Sequence, residues 1–453
     1  MKHLVFGTPG FDAGLQALYS RPPFPPEAEK SAAEIIAAIR EDGDRAVAFY
    51  AEKFDGVKLA PADFRVSDDE VAAAAKTLPA ADKRAIRTAL RQIEDFARRT
   101  APRNWRKIVR PGVTVGEKFT PLDRVGVYIP GGAAPLVSTV IHTAGIAHAA
   151  GVRSIVAATP AKALHPATLY AMKKAGVTEI YRLGGVYGVA ALAVGTESVQ
   201  KVQKIVGPGN AYVTAAKKLL YGEVGIDLVA GPSEILVLAD ESANPEFVAA
   251  DLLSQAEHGS GLEQSVMIST SSEMIKLTLA AFDRQKLALP KLAAVEKVRR
   301  DGLFFIEVPD LQTAEQIAGK YAPEHLELHV KDPEGSAKRI KAAGAMFLGP
   351  WTPESAGDFC AGPSHVLPTA GSALRFNGIE TATFLRRTSL VKYSEAAIRR
   401  EAWIIERFGN MESLAAHANA GSIRFTSFRE KRSKTRKAFT SFPEKRSETR
   451  KAK

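Results

Sequence analysis

From residue 125 onward the chain alternates between short β-branched runs and alanine-rich segments, and this alternation constrains the fold more than any other feature. Runs such as 125–129, 154–157 and 235–238 are continuous apolar stretches bounded by glycine or polar residues, which indicates strands buried on both faces. The segments between the runs, such as 137–150 and 211–220, have the length and composition of helices. Alternation of this kind is typical of parallel α/β sheets.

The pattern predicts an α/β fold with two Rossmann-like parallel-sheet domains that lack the Gly-x-Gly-x-x-Gly fingerprint. We expect a helical N-terminal arm and a small helical C-terminal unit in addition. About eight to ten strands are expected, more than the five or six of an average sheet, and this number favours two sheets over one. The predicted boundaries are 1–110 for the helical arm, 111–225 for the first α/β domain, 226–385 for the second α/β domain, 386–428 for the C-terminal unit, and 429–453 for a basic tail.

The formal net charge of +11 is concentrated at the C-terminal end of the chain. Residues 429–453 hold eleven Lys and Arg against three Glu, and residues 425–433 recur nearly unchanged as 439–447. The rest of the chain is close to neutral, so we expect no nucleic-acid partner for the folded part. We interpret the repeat as a disordered tail. Its positive charge and phenylalanines leave one alternative open, a tail that binds nucleic acid or an anionic surface.

Cysteine content and apolar runs indicate a cytoplasmic protein. The single cysteine, Cys360, has no second cysteine in the chain with which to form a disulfide, and a reducing compartment is the default for such a chain. The longest apolar stretch, near residues 226–239, is interrupted by Asp227, Pro232 and Glu234, so we expect no membrane span.

Four glycine-rich turns are each predicted to follow a strand. For the last turn, the preceding strand is predicted at residues 227–229. The turns are 128–132, 184–185, 207–210 and 231–234. In parallel sheets, glycine beyond the carboxyl end of a strand lets the backbone approach a ligand, and the next helix directs its N–H groups at anions. Each turn alone is also explained by tight-turn geometry. Together they favour nucleotide binding.

Four pairs of side chains are suited to metal binding or proton transfer. They are Gln255 with His258, Glu324 with His325, Asp358 with His365, and Glu412 with His417. Each pair alone has an ordinary explanation as a helix-capping histidine, a solvated turn or a surface pair. Four of the nine histidines nevertheless fall in these pairs, and imidazole with carboxylate suits zinc. Because the chain lacks the cysteine spacing of a structural finger, the expected zinc is a catalytic one that is open to substrate.

The chain carries several of these motifs in a fixed order, and in this respect it resembles the histidinol dehydrogenase family over residues 31–425. The motifs that carry the resemblance are 207–211, 230–234, 254–258, 323–327, 357–359 and 365–369. The resemblance implies a zinc- and NAD-dependent homodimer of intertwined subunits. It also implies two consecutive oxidations, from L-histidinol through L-histidinal to L-histidine, which are the last steps of histidine biosynthesis.

The resemblance further implies roles for individual residues. The family's zinc ligands, for one Zn²⁺ per subunit, match Gln255, His258, Asp358 and His417, of which His417 reaches into the site of the partner subunit. The general base matches His325, and Glu324 beside it would activate water for the aldehyde step. The substrate contacts match Ser233, Gln255, His258, His325, Asp358, His365, Glu412 and His417, and the NAD contacts match Tyr128 and Asn210.

One position departs from the family pattern. Many relatives carry glutamine after the double glycine, whereas this chain has Tyr187 after Gly184 and Gly185. Because tyrosine combines an apolar ring with a polar hydroxyl, Tyr187 is expected to take over the NAD contact by stacking or hydrogen bonding.

Two alternative chemistries remain at this stage. The same scaffold would serve a zinc-dependent dehydrogenase of another small polar alcohol, although the presence of Glu412, His365 and His417 favours histidinol. Alternatively, Cys360 would attack the aldehyde as a thiolate, since it lies two residues from Asp358. The family pattern requires no cysteine at that position.

Overall fold

The structure is a computed structural model that describes residues 1–21, 25–131 and 135–425, and its chain divides into two compact units. Unit 1 comprises Met1–Pro102 and Pro121–Arg386. Unit 2 comprises Arg103–Thr120 and the described residues from Arg387 onward. The basic tail 429–453 lies outside the described residues. Within the described ranges, no helix combines the length and apolar composition that crossing a bilayer requires.

The strands are mostly short and are distributed along the whole described chain. They are β1 (Lys2–Val5), β2 (Trp105–Arg110), β3 (Val113–Pro121), β4 (Arg124–Tyr128), β5 (Ser154–Ala158), β6 (Glu179–Tyr181), β7 (Lys204–Val206), β8 (Gly225–Ile226), β9 (Glu234–Ala239), β10 (Gln264–Ser269), β11 (Leu303–Glu307), β12 (His325–His329), β13 (Ala345–Leu348) and β14 (Leu385–Tyr393).

The helices fill most of the segments between the strands. They are α1 (Phe11–Tyr19), α2 (Pro26–Asp42), α3 (Asp44–Tyr50), α4 (Asp68–Thr77), α5 (Ala80–Thr100), α6 (Val137–Val140), α7 (Ile146–Ala149), α8 (Pro166–Lys174), α9 (Gly185–Val194), α10 (Ala211–Leu220), α11 (Pro245–Ala256), α12 (Ser272–Gln285), α13 (Leu292–Asp301), α14 (Leu311–Tyr321), α15 (Pro333–Arg339), α16 (Glu354–Phe359), α17 (Glu395–Met411) and α18 (Ala415–Ser422). A π-helical turn, Ile141–Gly145, joins α6 to α7.

Unit 1 contains two parallel sheets, as the strand–helix alternation predicts. The five-stranded sheet has the order β6-β5-β4-β7-β8, and the six-stranded sheet has the order β1-β11-β10-β9-β12-β13. In each sheet the chain builds outward in one direction and then returns to build in the other, so a switch point lies between β4 and β7 and another between β9 and β12. Helices cover both faces, and the central strands are buried throughout. The α/β fold class with two parallel sheets is confirmed.

The first 110 residues contain strands as well as the expected helices. β1 adds to the edge of the six-stranded sheet by pairing with β11, and β2 lies in unit 2. A four-residue strand such as β1 is too short to show a periodicity of two, because its pairing depends on the backbone of residues about 300 positions away. The domain boundaries proposed from the sequence stay a prediction.

Unit 2 combines a small antiparallel sheet with two helices. β2 pairs antiparallel with β3, and the sheet has the order β14-β3-β2. α17 and α18 approach closely at Gly409, where a Cβ would lie 2.5 Å from the backbone nitrogen of Ala418. The small helical C-terminal unit expected from the sequence corresponds to α17 and α18.

The strand predicted at residues 227–229 is wrong. The strand there is β8, which ends at Ile226. Asp227 leaves the ladder because its carboxylate accepts the N–H of Gly207 at 2.7 Å and the N–H of Leu228 at 2.7 Å. These side-chain hydrogen bonds replace strand pairing at residue 227. The glycine turn 231–234 therefore has no strand directly before it and instead precedes β9.

Candidate functional site

A cavity of about 510 Å³ lies within unit 1 and brings together residues from distant parts of the chain. Its lining includes six of the residues predicted to bind substrate or metal or to transfer protons: Ser233, His258, Glu324, His325, Asp358 and His365. It also includes Pro208 and Gly209 from the turn after β7. The acid/base side chains and a glycine turn of the five-stranded sheet therefore face the same space.

His325 is held as a neutral imidazole with one free nitrogen. It is the first residue of β12 and is buried, and its Nδ1 lies 3.1 Å from the carbonyl oxygen of Glu234 at the start of the adjacent strand β9. Because a carbonyl only accepts, Nδ1 carries the proton and Nε2 has a free lone pair. Nε2 has no hydrogen-bond partner among the described residues. Burial lowers the pKa of His325, although Asp358 opposes this effect. The ring is thus prepared to accept a proton at Nε2.

Glu324 is buried beside His325, where the sequence allowed a solvated turn. Its Oε2 accepts the backbone N–H of Glu234 at 2.9 Å and lies 3.8 Å from Nδ1 of His325. Burial raises the pKa of Glu324 well above its usual value. A carboxyl group with a raised pKa is a stronger base once it has lost its proton.

Glu354 also adjoins His325, and the sequence analysis did not single it out. Its Oε1 lies 3.3 Å from Nδ1 of His325, and its Oε2 is hydrogen-bonded to the hydroxyl of Ser254 at 2.8 Å. Burial, together with the nearby Asp358 carboxylate, raises the pKa of Glu354 to about 8. Local sequence patterns do not reveal such a residue, because its neighbours in space are distant in the chain.

Asp358 lies among imidazoles. Its Oδ1 is 3.9 Å from Nε2 of His325 and 3.6 Å from Nδ1 of His365. Burial alone would raise the pKa of Asp358, but the hydrogen bond to His365 and the neighbouring histidines outweigh it and lower this pKa to about 2. Asp358 is therefore a permanent carboxylate, as a metal ligand must be.

His365 is held in place by a second histidine that the sequence did not single out. The rings of His142 and His365 stack with centroids 4.3 Å apart, and Nδ1 of His142 accepts the backbone N–H of His365 at 3.3 Å. His142 lies in the π-helical turn between α6 and α7 and is fully buried. Such turns are frequent near functional sites.

Gln255 and His258 lie at the end of α11, as predicted. Gln255 is fully buried, and neither its Oε1 nor its Nε2 has a hydrogen-bond partner among the described residues. His258 Nδ1 lies 3.3 Å from the carbonyl oxygen of Ser254, which leaves Nε2 as the ring nitrogen available to a ligand. Since buried amides are nearly always satisfied, the orphaned Oε1 of Gln255 suits a group absent from the protein itself, such as a metal ion.

The predicted NAD residues lie at the switch point of the five-stranded sheet. Tyr128 ends β4, and Asn210 caps α10 by accepting the N–H groups of Tyr212 and Val213 at 3.1 Å. The intervening turn is tightly held. Lys217 is buried, donates to the carbonyl of Gly207 at 2.9 Å and forms an ion pair with Asp227. The carboxyl ends of strands at a switch point are the usual place for a nucleotide in α/β sheets.

Tyr187 is buried in the core instead of presenting its ring to a ligand. It is 1% exposed, and its hydroxyl donates to the carboxylate of Asp55 at 2.6 Å. Burial raises the pKa of Tyr187, and the hydrogen bond to Asp55 raises it further. The stacking or hydrogen bonding to NAD suggested by the sequence would have to displace this bond, so the burial does not favour direct contact.

Three further predicted residues lie elsewhere. Glu412 and His417 belong to unit 2, where Glu412 follows α17 and His417 lies on α18, and both are exposed. Cys360 follows α16 and is exposed. It is not among the described residues that line the cavity, which argues against an attacking thiolate.

The two sheets contribute opposite edges to the site. Glu324 and His325 lie at the amino ends of the strands of the six-stranded sheet, as does Ser233 before β9. Tyr128 and Gly207 lie at carboxyl ends in the five-stranded sheet. The sequence predicted that the turn 231–234 follows a strand, because a strand was wrongly assigned to residues 227–229.

Replacing Gly207 by alanine is expected to destabilise the protein and weaken its binding of NAD. Gly207 has a φ of +118°, and a Cβ there would lie 2.3 Å from the carbonyl oxygen of Tyr128. Backbone strain of this kind costs about 1–3 kcal/mol, to which the clash with main chain adds. Urea unfolding and the KM for NAD measure the two effects.

Gly222→Ala is the matched control for Gly207→Ala. Gly222 has a φ of +101° but no atom within 4 Å of its would-be Cβ, so it carries the backbone strain without the clash. Equal losses of stability in the two variants would contradict the role assigned to close packing against Tyr128.

Comparisons with known proteins agree with this geometry. A family model described as histidinol dehydrogenase matches residues 24–425. The chain is 43% identical over 395 residues to histidinol dehydrogenase 2 of Nostoc sp., covering 86% of this chain and 91% of that protein. It is also 43% identical over 400 residues to histidinol dehydrogenase of Bacillus cereus, covering 88% and 92%.

A solved structure supports the same assignment. The crystal structure of histidinol dehydrogenase from Elizabethkingia anophelis is similar to this structure with a TM-score of 0.89 and 35% sequence identity, and the match covers 94% of this chain and 98% of that one. The buried Glu324–His325 pair, the orphaned amide of Gln255 and the matches along nearly the whole chain lead to one assignment: this chain belongs to the histidinol dehydrogenase family.

Proposed function

We propose that this protein oxidises L-histidinol through L-histidinal to L-histidine in two NAD-dependent steps, the last steps of histidine biosynthesis. The observation that carries the proposal is the state of His325. Its Nδ1 is committed to the carbonyl of Glu234, so its free Nε2 is the proton acceptor in a cavity that also holds Asp358 and His258. Oxidation of an alcohol requires such a base next to the reacting carbon.

Gln255, His258 and Asp358 would hold one Zn²⁺ per subunit. Their donor atoms are an amide oxygen, an imidazole nitrogen and a carboxylate oxygen, which is a set that zinc accepts. His417 of the partner subunit would be the fourth protein ligand, as the family resemblance implies. The metal, when bound, would orient the substrate through its amino and imidazole nitrogens.

NAD would bind at the switch point of the five-stranded sheet. The N-terminus of α10, which begins after the turn 207–210, would present the positive end of its helix dipole to a pyrophosphate, and Tyr128 and Asn210 border the turn. Tyr187 would contribute indirectly and without touching NAD, because its hydrogen bond to Asp55 fixes the start of α9. The cofactor, when bound, accepts one hydride in each oxidation.

In the first oxidation, His325 would remove the hydroxyl proton of histidinol at Nε2 while the carbinol carbon loses its hydride. The charge that develops on the imidazole is stabilised by Asp358 at 3.9 Å from Nε2. Oε1 of Glu354 lies 3.3 Å from Nδ1 of the same ring, where a carboxylate would also stabilise the imidazolium. Ser233 and His365 line the same cavity and would contact the substrate.

In the second oxidation, Glu324 would activate the water that adds to the aldehyde. One of its oxygens is held by the N–H of Glu234, which leaves the other for a water molecule. The resulting hydrate is again an alcohol, so His325 would serve a second time as base. One set of residues then performs both steps.

The active form would be a homodimer. Unit 2 exposes large apolar side chains that water would disfavour in a monomer. They include Ile108 of β2 and Trp403, Phe408 and Met411 of α17. Glu412 and His417 lie at the end of the same apolar helix and on the helix after it, so a second copy covering this surface would also receive these two residues. We place the enzyme in the cytoplasm, since its one cysteine is a free thiol.

An assay with L-histidinol and NAD tests the proposed function. Purified protein loaded with Zn²⁺ should form two NADH for each L-histidine released. The second candidate, a dehydrogenase of another small polar alcohol, predicts no turnover of histidinol. Absence of NADH at saturating histidinol and NAD would therefore reject the proposal.

Removing a proposed zinc ligand should release the metal. His258→Ala is expected to weaken zinc binding by more than about 100-fold, the upper end of the loss that follows when only an outer-shell partner is removed. Zinc content after dialysis measures the loss. His148→Ala, which removes an exposed imidazole paired with Glu94, is the control and should retain the metal. Full zinc occupancy in His258→Ala would contradict the ligand assignment.

A further inference from the structure

A second cluster of metal-binding side chains is buried farther along β12. Glu327 and His329 lie on the face of β12 that also carries His325, while Leu326 and Leu328 pack in the core on the opposite face. Asp251 reaches the same place from α11. The proposed zinc ligands and the acid/base pair do not include any of these three residues.

The three side chains have the spacing of metal ligands. Nε2 of His329 lies 3.3 Å from Oε2 of Glu327 and 3.7 Å from Oδ2 of Asp251. All three candidate ligand atoms lie within 4.8 Å of one another. Bonds of about 2.0–2.2 Å to one ion place neighbouring ligand atoms about 3–3.5 Å apart, so only small movements would close the shell.

Three polar atoms of the cluster lack hydrogen-bond partners among the described residues, whereas Oε1 of Glu327 accepts the backbone N–H of Glu354 at 2.7 Å. Neither ring nitrogen of His329 and not Oε2 of Glu327 has a hydrogen bond within the described part of the chain. Both residues are almost completely buried, with 2% and 0% of their surface exposed. Such atoms are nearly always satisfied in folded proteins. Two of the orphaned atoms, Nε2 of His329 and Oε2 of Glu327, lie 3.3 Å apart beside the carboxylate of Asp251, which is the arrangement that a bound cation requires.

The charge of the cluster is also uncompensated. In the described ranges, His329 is the only basic side chain that pairs with Asp251 or Glu327. Burial raises the pKa of Asp251 to about 8, with a further contribution from Glu327, and burial raises the pKa of Glu327 to about 8. Raised pKa values mean that, without a cation, the site favours protonated carboxyl groups over two adjacent carboxylates.

We propose that Asp251, Glu327 and His329 form a second divalent-cation site, distinct from the proposed zinc site at Gln255, His258 and Asp358. Two carboxylates and a neutral imidazole balance a 2+ charge, and this mixed donor set suits a first-row ion such as Zn²⁺ or Mn²⁺. The carboxylate of Asp251 is the most exposed of the three side chains, at 11%, and would be the point of entry.

An ion at this place would tie two catalytic elements together. Asp251 lies one turn before Gln255 on the same face of α11, and His258 follows two residues after this helix ends. Glu327 lies two residues after His325 on the same face of β12. A shared ion would therefore fix the helix that leads to the proposed zinc site against the strand that carries the proposed base.

Counting bound metal in the full-length protein tests the proposal. After equilibration with excess Zn²⁺ or Mn²⁺ and removal of free ion, the wild type should hold two ions per subunit and Glu327→Gln should hold one. Glu315→Gln, which alters another buried carboxylate that is paired with Arg339, is the control and should hold two. One ion in the wild type, or equal contents in the wild type and Glu327→Gln, would overturn the second site.

His258→Ala provides a measurement that does not depend on how well Glu327→Gln folds. This variant lacks the proposed zinc site, so it should still hold one ion, and a chelator should lower its Tm. A His258→Ala protein that holds no metal and has the same Tm with and without chelator would also overturn the proposal. Two ions in His258→Ala would instead contradict the zinc-site assignment, while a loss of one ion in Glu327→Gln would still support the second site.

Discussion

Replacing His325 by asparagine is expected to lower kcat for histidinol oxidation by about 10²–10⁴-fold, the usual contribution of a positioned general base. The asparagine amide can still donate to the carbonyl of Glu234, so the start of β12 should keep its structure. The variant loses the free nitrogen that accepts the substrate proton. Steady-state rates with histidinol, together with zinc content and Tm, separate a loss of base from a loss of structure.

The control for His325→Asn is the same change at an exposed histidine. His148 forms an ion pair with Glu94 at the surface, so His148→Asn should leave kcat unchanged. We expect His325→Asn to retain zinc, since His325 is not among the proposed ligands. A kcat within threefold of wild type would remove His325 from the role of base, and a loss of zinc would indicate that it acts through the metal site.

The central strands and the glycine turns could be predicted because their signals are local. β4, β5 and β9 are continuous apolar runs, which are typical of strands buried on both faces. The ends of α10 are marked by the turns on either side of it. The C-terminal helix α17 was likewise visible in its periodicity. Each of these elements is specified by residues within about a dozen positions.

β12 was missed for an identifiable reason. Its alternate residues His325, Glu327 and His329 are polar yet buried, so the strand shows the apolar/polar alternation of a surface strand over only five residues. The sequence suggested a solvated turn at its start. The polar face is buried because α11 and α16 cover it with their own polar side chains, and partners that lie 27 or more positions away leave no local pattern.

The order of the motifs predicts which residues act in the site. It does not predict which residues hold those side chains in place. Glu324, His325 and Asp358 stand in recognisable motifs, whereas His142 and Glu354 act through contacts with residues far away in the chain. Arg21 is the residue whose contribution is hardest to predict from local sequence. It lies ahead of the segment matched by the family model and contacts Glu234, which is 213 positions away.

Arg21 joins the N-terminal segment to the acid/base pair through Glu234. Its Nε donates to Oε1 of Glu234 at 2.8 Å, and its Nη2 donates to the carbonyl of Tyr321 at 2.6 Å. The guanidinium also lies 3.8 Å from the centre of the Tyr321 ring. The backbone of Glu234 in turn binds both Glu324 and His325. Arg21 therefore neutralises the one carboxylate whose main chain positions the proposed base and its neighbour.

Arg21→Ala is expected to lower the free energy of unfolding by about 3–5 kcal/mol, the cost of leaving one member of a buried ion pair without its partner. Burial already raises the pKa of Glu234, and Arg21 counteracts this shift, so the unpaired carboxylate would take up a proton or move towards water. Either response shifts the Glu234 backbone, and kcat should fall with stability. Urea unfolding and steady-state kinetics measure the two losses.

Two further variants show whether the loss arises from the buried charge. Arg300→Ala removes an exposed arginine paired with Asp301 and should leave stability almost unchanged. Adding Glu234→Gln to Arg21→Ala removes the unpaired charge, so the double variant should be more stable than Arg21→Ala alone. If Arg21→Ala lost no more stability than Arg300→Ala, or if the double variant were less stable than the single one, the ion pair would not hold this part of the site together. The observed order of the three variants thus distinguishes an electrostatic anchor from simple loss of packing around Tyr321.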